Sequence, residues 1–218
     1  MNASSSRPRP ALLYRIVHLE NLNLLALRKG LHAPAYAPAD GLVYHGIHDQ
    51  SIRARRGSRP IPCGPGGTVD DYISFYLCPR SPMLYRLQAD HSLRPLEGPG
   101  ALVYLVCSIE RIRELDLPFV FSDGHGLQAI TRWYDDLERL DALDWKAIHT
   151  TDWRSTEDPD LTRRKQAEFL VHRFLPWDAL LGIACYDAVV ASDVERRLAE
   201  MPERTTAVRV RPDWYYDV

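Results

Sequence analysis

Cysteine is scarce in this chain, and what there is forms no useful pair. Cys63, Cys78, Cys107 and Cys185 make no CxxC and have no histidine at zinc-finger spacing, which argues against a disulfide framework and against a structural zinc site; no metal is expected. Free thiols point to a reducing cytoplasm. Long apolar runs are missing as well. Nothing approaches the roughly 20 consecutive apolar residues that cross a bilayer, so no membrane contact is expected. The opening MNASSSRPRP has no apolar h-region, is not a secretory signal, and reads as a disordered leader over residues 1–10. Excess positive charge is the third absence. With 27 Lys and Arg against 29 Asp and Glu the net charge is −2, whereas a dedicated duplex-DNA binder is usually basic. Any nucleic-acid contact must rest on a local patch. Arg53, Arg55, Arg56 and Arg59 fall within seven residues, although a solvated charged loop is the plain reading of such a run.

The common catalytic motifs are also lacking. The glycines of GPGG (64–67) do not make GxGxxG and lack a strand-then-helix setting. There is no GxxxxGK[ST], no GxSxG and no HExxH. Asp70 and Asp71 are adjacent, so in a strand they point to opposite faces and cannot work as a pair.

What is present is a 218-residue chain, 45% hydrophobic, enough for one domain with a proper core. ALLYRIVH (11–18), YISFYLC (72–78), ALVYLVCS (101–108), FVFSDG (119–124), EFLVH (168–172), GIACYD (182–187) and TAVRVRP (206–212) read as strands. ENLNLLALRKG (20–30) reads as a short helix stopped by Gly30. ITRWYDDLERL (130–140) reads as an amphipathic helix. SDVERRLAEM (192–201) reads as a helix with a capping box, Ser192 three residues before Glu195. Residues 31–70 are irregular, rich in Pro, Gly, His and Arg, with one short helix over DQSIRARR; such stretches in compact domains are usually functional loops or disordered. The strands and helices do not alternate as βαβ units, so the fold class is α+β.

Four features go beyond plain scaffold: His18 at the end of the first strand, the arginine cluster, the aromatic segment YISFYLCPRSPMLY, and Glu168 opening a short apolar strand. Taken singly, each has a structural explanation as core histidine, solvated loop, core aromatics or strand edge. Taken in order, YRIVHLENLNLLALRKGL, SIRARRGSRPIP, GGTVDDYISFYLCPRSPMLY, LPFVFSDGHG and QAEFLV resemble the DarT family of ADP-ribosyltransferases, from about residue 13 to the C-terminal WYY.

The resemblance implies an ADP-ribosyltransferase fold: two packed, mainly antiparallel sheets with an NAD cleft between them, residues 11–218 as a single domain, and 31–70 as an inserted region covering the site. It implies a toxin that consumes NAD to modify thymidine in single-stranded DNA, countered by a macrodomain antitoxin. By the same resemblance Glu168 is the catalytic glutamate and His18 holds the NAD ribose. Tyr76 lines the nicotinamide pocket, with Asn21, Gly30 and Tyr72 as further NAD-side positions. The acceptor-side arginine is Arg55 or Arg56, and Arg53, Arg59, Arg80, Met83 and His125 lie on the DNA side. Two alternatives stay open: the same chemistry on RNA or protein, and a catalytically silent nucleic-acid-binding module of the same fold.

Overall fold

A computed structural model describes residues 7–47, 55–89, 98–200 and 206–217. Its centre is an eight-stranded sheet. In chain order the strands are β1 (Leu12–His18), β3 (Tyr72–Tyr76), β4 (Leu102–Ser108), β5 (Phe119–Ser122), β6 (Trp133–Tyr134), β7 (Glu168–His172), β9 (Gly182–Cys185) and β10 (Val208–Val210). In space they run β10-β9-β4-β1-β3-β7-β5-β6. Only β9 and β10 pair in parallel; the rest is antiparallel. Two further strands, β2 (Gly30–His32) and β8 (Phe174–Pro176), form a separate ribbon.

The expected two sheets meet at one point. β1 pairs with β4 along its whole length, Leu12↔Ser108 to His18↔Leu102, and β3 pairs with β7 from Tyr72↔His172 to Tyr76↔Glu168. Between β1 and β3 there is a single register pair, Tyr14↔Tyr76. Beyond it the strands part, and Arg15 Nη1 donates to the Ser74 carbonyl at 2.8 Å in place of a ladder bond. The buried sequence of β4 suits its central position, since all seven residues are inaccessible. One face of the sheet carries the main core, with Leu13, Val17, Phe75, Leu105, Phe121 and Phe169 among its members. The other face is apolar at the β4–β9 end, around Tyr104, Trp214 and Tyr215, and again around Tyr72, Val120 and Leu170; between the two lies the polar row through Tyr76, Glu168 and Ser122.

The structure changes several local expectations. Residues 130–140 are not a helix. Trp133 and Tyr134 pair with Ser122 and Phe121, and Tyr134 stacks on Phe121 at 5.1 Å, so tertiary pairing overrides helical spacing; a 3₁₀ turn, Leu137–Ala142, follows. The last long helix runs Ala188–Ala199 and is capped by Asp187, which accepts from the Val190 N–H, so Ser192 lies inside the helix. Gly30 does not serve as the helix stop; Lys29 takes the left-handed turn at φ 61°. Gly30, at φ 150°, is pressed against β8, where a Cβ would collide with the Leu175 carbonyl oxygen. The end of the expected leader is tied down: Arg7 pairs with Glu110 at 3.1 Å, and the same carboxylate accepts from the Ala11 N–H.

Candidate active site

Directly opposed residues in a sheet share a face, with Cβ atoms about 5 Å apart. The register Tyr14↔Tyr76, Tyr76↔Glu168, Glu168↔Ser122, Ser122↔Trp133 therefore lays one row of side chains across five strands. Glu168 sits mid-row and is 1% exposed. It is not the solvent-edge residue that a strand start suggests.

The inserted region reaches this row through Arg56. Residues 55–57 are helical, and Arg56 lies against Glu168 as a bidentate pair: Nη1 donates to Oε1 at 2.7 Å, Nη2 to Oε2, and Nη2 also to Ser74 Oγ at 3.0 Å. Of the two neighbouring arginines, Arg56 is the one that meets Glu168; Arg55 is exposed. Glu168 Oε1 accepts a further bond from the Gly126 N–H at 3.3 Å, and the Glu168 N–H donates to Ser122 Oγ at 3.3 Å. Burial alone would raise the Glu168 carboxyl pKa, but the Arg56 guanidinium outweighs it, and His125 adds to the effect. The net shift is below the ordinary glutamate value. The same pairing raises the Arg56 pKa against the opposite pull of burial. Burial, then the nearby Glu168 charge, hold the Tyr76 phenol protonated well above its usual range. His125 is pushed down by burial, with Glu168 opposing. Its Nδ1 accepts from the Leu127 N–H at 3.2 Å, so a neutral ring carries its proton on Nε2.

His18 lies four residues from Tyr14 on the same face of β1, about 13 Å along the strand. It marks the lip of the opening between β1 and β3. Its Nδ1 accepts from the Glu20 N–H, and its ring packs on His45 at 5.5 Å. Asn21 is buried with both amide groups spent on the His45 backbone, so it positions His45 beside His18 and has little left for a ligand. Tyr72 is likewise committed: it is 2% exposed and donates its hydroxyl to the Gly66 carbonyl at 2.7 Å. Gly30 contributes close packing, as above.

The expected DNA-side set divides. His125 is beside Glu168. Arg59 is half-buried, and its backbone N–H donates to the Arg56 carbonyl at 3.0 Å. Met83 packs on the apolar cluster around Leu84 and Tyr104. Arg80 donates from Nε and Nη2 to the Tyr215 carbonyl, at 3.0 and 2.7 Å, fastening the C-terminal segment. Arg53 lies outside the described residues. Sequence reasoning missed Ser74, Ser122 and the Gly126 N–H. The alternation of YISFY could have pointed to Ser74, whereas a backbone donor leaves no residue signature. Among the described residues, no group of three or more His, Cys, Asp or Glu is placed to hold a metal ion, and no helix is long and apolar enough to cross a membrane.

The family described as "ssDNA thymidine ADP-ribosyltransferase, DarT" matches residues 14–216. The chain belongs to the DarT family. A relative from Thermus sp. (strain 2.9), a DNA ADP-ribosyl transferase, is 37% identical over 210 residues, covering 96% of this chain and 98% of that protein. The solved structure of Thermus sp. 2.9 DarT in complex with ADP-ribosylated ssDNA superposes with a TM-score of 0.91 at 36% identity, over 98% of this chain and 100% of that one. The complex of the same DarT with NAD+ gives 0.86 at 35% identity, over 97% and 100%. A Thermosipho africanus protein named as a DNA ADP-ribosyl transferase–DNA ADP-ribosyl glycohydrolase fusion is 25% identical, over 88% of this chain and 46% of that protein. These DarT relatives bear out the expected α+β ADP-ribosyltransferase fold.

Proposed function

We infer that this chain cleaves NAD and transfers the ADP-ribose to thymidine in single-stranded DNA, with Glu168 and Arg56 at the reacting centre. The observation that carries the reading is the buried Glu168, paired with Arg56 and directly opposite Tyr76, the residue at the apex of the β1–β3 opening, in a chain of the DarT family. Breaking the nicotinamide–ribose bond builds positive charge on the ribose, and an enzyme gains by stabilising charge that develops in the transition state. Glu168 supplies a fixed negative charge there. Its Oε1 lone pairs are taken by Arg56 and Gly126, while Oε2 keeps one free to accept from a ribose hydroxyl. Tyr76, uncharged, offers its ring to the nicotinamide without repelling Glu168. His18 holds the far ribose of an extended dinucleotide.

On the acceptor side the imide nitrogen of thymine must lose a proton. Arg56 stays protonated and is no base; its charge stabilises the imide anion as the proton passes to water or to Glu168. The imide nitrogen is paired in a duplex, and a single strand presents it without the cost of unstacking. The fusion relative joins a transferase to a glycohydrolase, which supports a toxin role opposed by a macrodomain antitoxin that removes the mark. The four free cysteines suit a cytoplasmic setting.

The test offers labelled NAD to separate pools of DNA, RNA and protein. Label is expected in the DNA pool alone. Label in RNA or protein would mean another target, and NAD left intact in all three would mean a silent module.

A further inference from the structure

Glu168 is held by a side chain, Arg56, and by a backbone N–H, that of Gly126. The second donor stands on a turn, residues 123–131, that has no regular ladder to fix it. Ser122 Oγ donates to the Gly124 carbonyl at 2.7 Å, and Arg163, on the helix Leu161–Lys165 just ahead of Glu168, holds the turn from the other side. Its Nε and Nη2 grip the Asp160 carboxylate at 2.6 and 2.8 Å, which orients the guanidinium from below. Its Nη1 donates to Asp123 Oδ1 at 2.8 Å, where the turn begins, and its own carbonyl accepts from the His125 N–H at 3.0 Å. Thr131 Oγ closes the far end, donating to the His125 carbonyl at 2.8 Å. The guanidinium passes so close over Gly124 that a Cβ there would strike Nη1. Glycine at 124 is explained by this passage alone, because its φ is not positive.

We propose that Arg163 is a positioning residue for the transfer reaction, clamping the 123–131 turn so that the Gly126 N–H and His125 face Glu168. The inference rests on the role given to Glu168 above. Nothing in the clamp touches the reacting atoms. Its effect is to keep one hydrogen bond on Oε1, so that Oε2 alone turns to the ribose, and to hold His125 at the edge where an acceptor base must enter.

Two substitutions loosen the clamp differently. Arg163→Ala removes the guanidinium. Gly124→Ala keeps every charge but pushes the guanidinium out of its passage. Each is compared with the wild type in DNA transfer, across pH, with thermal unfolding recorded in parallel. Each is expected to lower kcat about tenfold or more, as misplacement of a catalytic group does, with KM for NAD within about twofold. The acid limb of the kcat profile should also move to higher pH. A carboxylate that loses a donor is more easily protonated, and a displaced His125 withdraws a further influence that lowers the Glu168 pKa, so both changes act in the same direction, while Arg56 and Tyr76, the other titratable groups facing Glu168, are unchanged. A folded variant with wild-type kcat and an unmoved acid limb overturns the proposal, as does a drop in melting temperature with both unaltered. If Arg163→Ala fails to fold, Gly124→Ala decides alone. A wild type unable to modify DNA would instead defeat the functional reading.

Discussion

Glu168→Gln is expected to cut transfer several hundred-fold or more, a loss of about 3–4 kcal/mol of transition-state stabilisation, with the chain still folded. Glutamine keeps the shape of the side chain and one acceptor, but its amide nitrogen sets a donor against one arm of the Arg56 fork, so the charge and one of the two hydrogen bonds are lost. Glu168→Ala should be as inactive, but it is the poorer probe. A strand-start carboxylate, read from sequence, contributes little to stability; here it is buried and paired. Removing one member of a buried pair typically costs about 3–5 kcal/mol. The Arg56 side chain remains 21% exposed and can turn to water, so the cost here should fall below that range. The same pairing sets a pH dependence. The Glu168 pKa is lowered on folding, so its stabilising contribution is complete above the ordinary glutamate range and is lost as pH falls through the depressed value. Transfer should therefore persist into acid below the range of an ordinary glutamate. A Glu168→Gln protein with near wild-type transfer would remove Glu168 from the mechanism.

The second large effect separates two neighbours. Arg56→Ala should reduce transfer to DNA about a hundredfold or more while NAD binding persists, because Arg56 both orients Glu168 in the resting site and stabilises an acceptor anion that exists only as the bond forms. Arg55→Ala, on the exposed side of the same turn, should change transfer by no more than about threefold, with a salt-dependent loss of DNA affinity if Arg55 touches phosphate. Arg56→Lys should rescue poorly: one ammonium cannot span both Glu168 oxygens and Ser74 Oγ as the planar fork does. Transfer rates, DNA affinity at two salt concentrations and NAD affinity for the three variants decide the matter. If Arg55→Ala and Arg56→Ala behave alike, the cluster is only an electrostatic patch and His125 becomes the next candidate.

The contrast between these arginines shows where the sequence stops being informative. Successive helix residues point about 100° apart, so a one-residue ambiguity in register decides between solvent and Glu168, and only the packed structure resolves it. The long strands were legible because their apolar, β-branched runs suit burial in any β context; β4 is the clearest case. The two-residue strand Trp133–Tyr134 and the three-residue strands β2 and β8 were not, since elements so short exist only through their partners. Asn21, Tyr72 and Arg80 were placed by resemblance near the ligands, and in the structure each makes side-chain hydrogen bonds to the backbone of this chain. Position in a motif does not distinguish a residue that touches a ligand from one that holds the wall of the site. Arg163 looked like one charge among several on a short helix, and its grip on the turn ahead of Gly126 arises from residues 40 positions apart.

The central claim is most directly tested by intact-mass measurement on an oligonucleotide with a single thymidine, incubated with NAD and the protein. The expected result is one added ADP-ribose on the single strand with an equal amount of nicotinamide released, none on the same strand without thymidine, and little on the fully paired duplex. NAD consumed to free ADP-ribose with no adduct on the single strand, or equal modification with and without thymidine, would contradict the account.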